Sequence, residues 1–189
     1  MTPFLADGSA QAIHAFAIGH AWLTPVVIVV TAACVGLCPL ALVIVWIRDR
    51  QIGPAVATLL GLVVADKASH TIGTFHYVSR PFVALHFTPL FPHAVNNSFP
   101  SSTVAFAAVT ATVVVFAWWR LGLVLVAGTV VIAFGCVYVG VHYVTDVIVG
   151  AALGIVCGAV FWLALGLPPV GRFLAAIDQR LPGARARQR

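Results

Sequence analysis

Apolar residues in this chain come in long unbroken runs rather than in the alternation of a strand or the one-sided stripe of a surface helix. Five runs, over residues 24–46, 52–72, 100–119, 121–139 and 144–167, approach or exceed the ~20 residues that a membrane-spanning helix needs. Arg48-Asp49-Arg50 closes the first, and Trp118-Trp119-Arg120 parts the third from the fourth. Pro25 is tolerated at the start of its run, whereas Pro39 lies inside and predicts a kink. Residues 8–22 mix small, apolar and polar groups around His14 and His20. That mixture predicts an interfacial amphipathic helix, with a sixth span as the alternative. In the last run Gly150, Gly154 and Gly158 recur every fourth position, a small-residue face for close helix packing. The pattern predicts an all-α, polytopic membrane helix bundle of five spanning helices. Residues 1–170 would form one membrane-embedded domain and residues 171–189 a loose basic tail.

Composition removes the soluble alternatives. Of 189 residues, 61% are hydrophobic and 8% charged, too few charges to cover a water-soluble domain of this size. The net charge of +5 does not point to nucleic acid, because the arginines flank apolar runs or lie in the tail. Membrane orientation accounts for them. Arg48, Arg50, Arg120, Arg172, Arg180, Arg185, Arg187 and Arg189 fall on one face, which the positive-inside rule makes cytoplasmic. The opposite face receives the connection 73–98 and the turn before residue 144. The expected setting is therefore a membrane crossed several times, with the tail on the cytoplasmic side. Cys34, Cys38 and Cys157 sit among apolar residues and read as packing groups; no cysteine–histidine spacing resembles a zinc site. Oligomeric state is not legible.

Three distant segments meet on the extracytoplasmic face. The first is the turn Gly140-Val141-His142-Tyr143-Val144-Thr145-Asp146. If a helix begins near Tyr143, Asp146 lies about one turn from His142 and can hold one ring nitrogen, leaving the other free to attack. Asp146 is one of five acidic residues in a chain without glutamate, and a carboxylate beside an apolar run is costly. The plain alternative is a histidine hydrogen-bonded at a helix end. The second is Arg80-Pro81, whose guanidinium offers a bidentate fork for phosphate, or an interfacial arginine in a turn. The third is Ser98-Phe99-Pro100-Ser101-Ser102-Thr103. Proline in a first helical turn followed by hydroxyl residues makes either an anion-binding helix start or a simple N-cap. There is no P-loop and no carboxylate cluster for two metals, so neither metal nor cofactor is expected. Phosphoryl transfer would then need a protein nucleophile, and His142 qualifies.

These residues resemble a family. Arg80-Pro81-Phe82-Val83, His93, Ser98-Phe99-Pro100-Ser101 and Val137-Tyr138-Val139-Gly140-Val141-His142-Tyr143 with Asp146 are similar to the membrane branch of type-2 phosphatidic acid phosphatases. The similarity is greatest to the bacitracin-resistance type of undecaprenyl-diphosphate phosphatase. The resemblance spans roughly residues 60–160. It implies that His142 is the nucleophile, that Asp146 orients it, and that Arg80, Ser101 and adjacent groups at Ser102 and Thr103 hold phosphate. The implied substrate is a polyprenyl diphosphate, cleaved without metal to the monophosphate in recycling of a cell-envelope lipid carrier.

The chain departs from the family pattern at three places. Thr103 stands where a histidine usually protonates the leaving group. Gly135-Cys136 replaces Ser-Arg, and Gly73 occupies the position of a lysine. Lys67 and His93 are candidate substitutes. Lys67 reads otherwise as part of a membrane-buried Asp66-Lys67 pair, and His93 as a loop histidine capping backbone. The departures also admit a protein that binds or transports a lipid phosphate without turnover, or a phosphatase for another lipid phosphate.

Overall fold

A computed structural model describes residues 7–180. Helix α1 (Asp7–Gly19) leads through a 3₁₀ turn (Ala21–Leu23) into α2 (Thr24–Asp49). Then come α3 (Gly53–Phe75), the single turn α4 (Pro81–Ala84), α5 (Ser102–Ala117), α6 (Trp119–Tyr138), α7 (Val144–Leu165) and α8 (Pro168–Asp178). Proline opens α2, α3, α4 and α8 in their first turns, where its missing N–H is not needed. Among the described residues there is no strand, only an isolated bridge between Ser79 and Asn97.

Four segments are long and apolar enough to cross a membrane: Ala21–Asp49, Gly53–Phe75, Trp119–Tyr138 and Val144–Leu165. Large apolar side chains on all four point outward, among them Val29, Leu59, Val130 and Leu163, each more than 60% exposed. Such a belt suits lipid rather than water, and the chain is a multi-pass membrane protein.

The third expected span differs. α5 has 16 residues and so reaches about 24 Å, short of the ~30 Å hydrocarbon layer. It is the enclosed centre of the bundle, packed on α7, α6, α3 and α2, with Val104, Ala105, Val109, Val113 and Val114 fully buried. Extended backbone at Ser101 before it and at Trp118 after it carries the chain the remaining distance. Most of its apolar run is buried in protein, with Phe116 near its end left exposed.

Other boundaries also shift. Helix α2 continues through Pro39. α1, at 13 residues, is too short for a sixth span; its Ala10 packs with Tyr143, Val78 and Leu85. Pro100 is outside the helix it was expected to open: the Phe99–Pro100 peptide is cis and Ser101 is the N-cap. The segment expected to be loose from residue 171 is helical to Asp178, so α8 runs across the boundary placed at residue 170. Asp178 Oδ1 accepts the Ile52 amide at 3.0 Å, tying α8 to the start of α3. The arginines at 185, 187 and 189 lie outside the described residues.

The bundle has two chemically distinct ends. At one, Arg48 stacks 4.5 Å over Trp118 and Arg120 lies over Trp119. That end also holds a cavity of about 770 Å³ between the α2–α3 turn and α8. The other end gathers the starts of α5 and α7, the end of α6 and the connection after α3. α7, with 22 residues, separates the two ends by about 33 Å.

Candidate active site

The site is built on the turn between α6 and α7. Gly140 makes the reversal with φ +81, a conformation costly for any residue with a side chain, and the Phe87 ring fills the space a Cβ would take. The amides of Val141 and His142 both reach back to the Cys136 carbonyl at the end of α6, at 3.2 and 3.3 Å. Tyr143 then caps α7, with its amide held by Asp146 Oδ2 at 2.9 Å. The helix starts where the sequence placed it, and the Asp146 side chain reaches back to the turn. His142 Nδ1 lies 3.5 Å from Asp146 Oδ2.

That distance is long for a direct bond, and a residue absent from the expected site fills the gap. The Ser98 hydroxyl lies 3.3 Å from His142 Nδ1 and donates to Asp146 Oδ2. Ser98 is fully buried. Its position is fixed by Asn97, which accepts the Val78 and Phe99 amides at 2.9 and 3.2 Å and donates to the Gly73 carbonyl at 3.0 Å. The same contact explains Gly73: a Cβ there would meet Asn97 Nδ2 at 2.5 Å.

On the other side of the ring stands Arg80, 5% exposed. Its Nε donates to Asn96 Oδ1 at 2.8 Å, and Nη1 donates to the Val141 carbonyl at 2.8 Å and faces His142 Nε2 at 3.3 Å. A guanidinium only donates, so Nε2 is the accepting nitrogen and the proton sits on Nδ1, as the hydrogen-bond network assigns it. Burial pulls the Arg80 pKa below its usual value, opposed chiefly by the charge of Asp146; the group remains a cation.

The remaining expected residues divide. Ser101 is fully buried; its amide donates to the Asp146 carbonyl at 3.1 Å, and its hydroxyl has no partner among the described residues. Its side chain does not cap α5, so the simple N-cap reading fails and the first-turn amides receive no side-chain acceptor. Ser102 is half-buried and Thr103 exposed on that turn. His93 is exposed, and its ring meets that of His142 edge-on, centroids 6.4 Å apart. It caps no backbone group. Lys67 does not join the site. It is exposed, two positions from both Ala65 and Ser69, which form the buried face of α3; a two-residue step turns a helix through about 200°, to the opposite side. Nor is it buried with Asp66, which pairs with His70 at 3.5 Å. Among the described residues no three His, Cys, Asp or Glu side chains gather as a metal site would require.

A buried imidazole, with one nitrogen backed by hydroxyl and carboxylate and the other faced by a cation, thus stands at one end of a membrane helix bundle. The PAP2 superfamily matches residues 52–167, and the chain belongs to that family. It is 31% identical over 156 residues to the putative undecaprenyl-diphosphatase YbjG of Escherichia coli, covering 77% of this chain and 76% of that protein. It is 26% identical over 158 residues to undecaprenyl-diphosphatase BcrC of Bacillus subtilis, covering 80% of each. Among solved structures, Aquifex aeolicus LpxE superposes with a TM-score of 0.68 at 27% identity, covering 85% of this chain and 96% of that one.

Proposed function

We propose that the protein hydrolyses a polyprenyl diphosphate to the monophosphate, without metal, through a phosphohistidine on His142. The observation that carries this reading is the pairing across one ring: Arg80 Nη1 at 3.3 Å from Nε2, and Ser98 with Asp146 behind Nδ1. The phosphoryl group enters between Nε2 and the guanidinium, which transfers its donors to the phosphoryl oxygens. The unpartnered Ser101 hydroxyl and the first-turn amides of α5 supply further donors. The Nε2 lone pair attacks phosphorus, the bond to the leaving oxygen breaks, and water later displaces Nε2 to release phosphate. Asp146 stabilises the imidazole through both steps. The relatives' names as undecaprenyl-diphosphatases support a diphosphate. So does Thr103, because a phosphate monoester needs less help from an acid than an alcohol does when it leaves. The arginine-rich end supports a site on the extracytoplasmic face and a cytoplasmic α8 and tail.

The test is phosphate release from a polyprenyl diphosphate by the purified protein in detergent. Millimolar EDTA is expected to leave the rate unchanged; a rate abolished by EDTA and restored by a divalent cation overturns the metal-free step. Ser98→Ala is expected to lower kcat/KM about tenfold, the worth of one hydrogen bond of ~1.4 kcal/mol, with the fold intact by circular dichroism.

The changes at Thr103 and Cys136 favour one second reading, a protein that binds a lipid phosphate without turnover. On that reading the native chain releases no phosphate and Thr103→His with Cys136→Arg creates activity. Turnover by the native chain rejects it.

A further inference from the structure

We propose that His93 is the proton donor to the leaving group, and the base that activates water in the second half of the reaction. The inference rests on His142 being the nucleophile. The polyprenyl phosphate oxygen leaving the terminal phosphorus gains negative charge, and a titratable group beside it speeds its departure, the more so for any more basic leaving oxygen. Around the His142 ring the candidates are few. Asp146 and Ser98 lie on the Nδ1 side, away from the attacking nitrogen. Arg80 faces Nε2 but stays protonated. Thr103 carries only a hydroxyl. Among the described residues, His93 is the one other imidazole whose ring meets that of His142.

A phosphoryl group held in line between Nε2 and His93 needs the two rings farther apart than they stand. Their centroids are 6.4 Å apart. Attack places phosphorus about 3–3.5 Å from the nitrogen, and a proton donor stands about 2.6–3.2 Å from the leaving oxygen on the far side, so the exposed His93 side chain swings outward as substrate enters. The His93 side chain makes no hydrogen bond among the described residues, so nothing holds its nitrogens away from a ligand. It is exposed and can exchange protons with water between turnovers. Burial, then the charges of Arg80 and His142, holds its pKa below the usual histidine value in the empty site. An anionic phosphoryl group between the rings reverses the electrostatic part and favours the imidazolium as substrate arrives.

The step balances. The Nε2 lone pair of His142 forms the N–P bond; the P–O bond breaks with its electron pair on the leaving oxygen; the His93 N–H proton passes to that oxygen. Neutral His93 then takes a proton from water as the water oxygen attacks phosphorus, and the N–P electron pair returns to Nε2.

The experiment measures kcat/KM, which reports steps through leaving-group departure, for native protein and His93→Gln on three substrates. These are an alkyl phosphate monoester lipid, with a strongly basic leaving alkoxide, and a polyprenyl diphosphate and p-nitrophenyl phosphate, whose leaving oxygens are both weakly basic. The expected losses divide: about 100-fold or more for the alkyl ester, and under about tenfold for both the diphosphate and the nitrophenyl ester, whose weakly basic leaving oxygens need little help. His93→Gly with added imidazole is expected to recover alkyl-ester turnover. Equal losses on all three substrates, or none, overturn the assignment to His93 while leaving His142 standing. A native protein inactive on all three overturns the phosphatase reading itself.

Discussion

His142→Ala protein is expected to release phosphate on the order of 10⁴-fold more slowly than the native chain, the scale of losing a nucleophile. Arg80, Ser101 and the α5 amides remain in this variant, so it should still bind lipid phosphate, separating loss of chemistry from loss of the pocket. A brief pulse of substrate carrying radiolabelled phosphorus, quenched in alkali, is expected to leave label on the native protein and none on the variant. A phosphorus–nitrogen bond survives base and breaks in acid, which distinguishes it from an ester on serine. Unchanged turnover in His142→Ala would remove the mechanism at its root. Label that persists in the variant would move the nucleophile elsewhere, with the Ser98 hydroxyl beside the ring the first to test.

The readability of this site in the sequence follows from which contacts are local. His142 and Asp146 are four positions apart at a helix start, so helix geometry alone brings them within reach. Arg80 was placed by topology: alternate spans put its connection at the same end of the bundle as the turn at residue 142. The role of Ser98 is not legible from its run, because its contacts reach 44 and 48 positions along the chain and depend on Asn97 anchoring the connection to Gly73. The pair Asn96-Asn97 beside Ser98 was the available signal, since two amides in a loop next to a proposed anion site commonly position its backbone. Lys67 was misplaced because charge invited a role, whereas the phase of α3 set by Ala65 and Ser69 turns it away. The central place of α5 is not legible, because burial inside a bundle and burial in lipid leave the same apolar signature.

The glycines of α7 connect that packing to the chemistry, and their replacement is expected to have the second large effect. A Cβ at Gly154 would collide with the Ala105 carbonyl and lie 2.7 Å from Ala108 Cβ; one at Gly150 would strike the Ser101 carbonyl; one at Gly158 would lie 2.9 Å from the Val109 carbonyl. Backbone cannot rotate aside as a side chain can, so each substitution pushes α5 from α7. Valine at any of the three is expected to cost about 1–3 kcal/mol or more, read as a lower unfolding temperature in detergent. The activity losses should differ in order. Gly150 bears on Ser101, whose amide is bound to the Asp146 carbonyl at 3.1 Å, so displacement there moves the α5 donors relative to His142. A shift of ~1 Å in such a site costs about 100-fold. Gly150→Ala is therefore expected to lose the most turnover per degree of stability lost, Gly154→Ala less, and Gly158→Ala, two turns of α7 beyond Gly150, least. If all three lose activity only in proportion to stability, the close α5–α7 seam holds the bundle together without setting the position of the phosphate-binding groups.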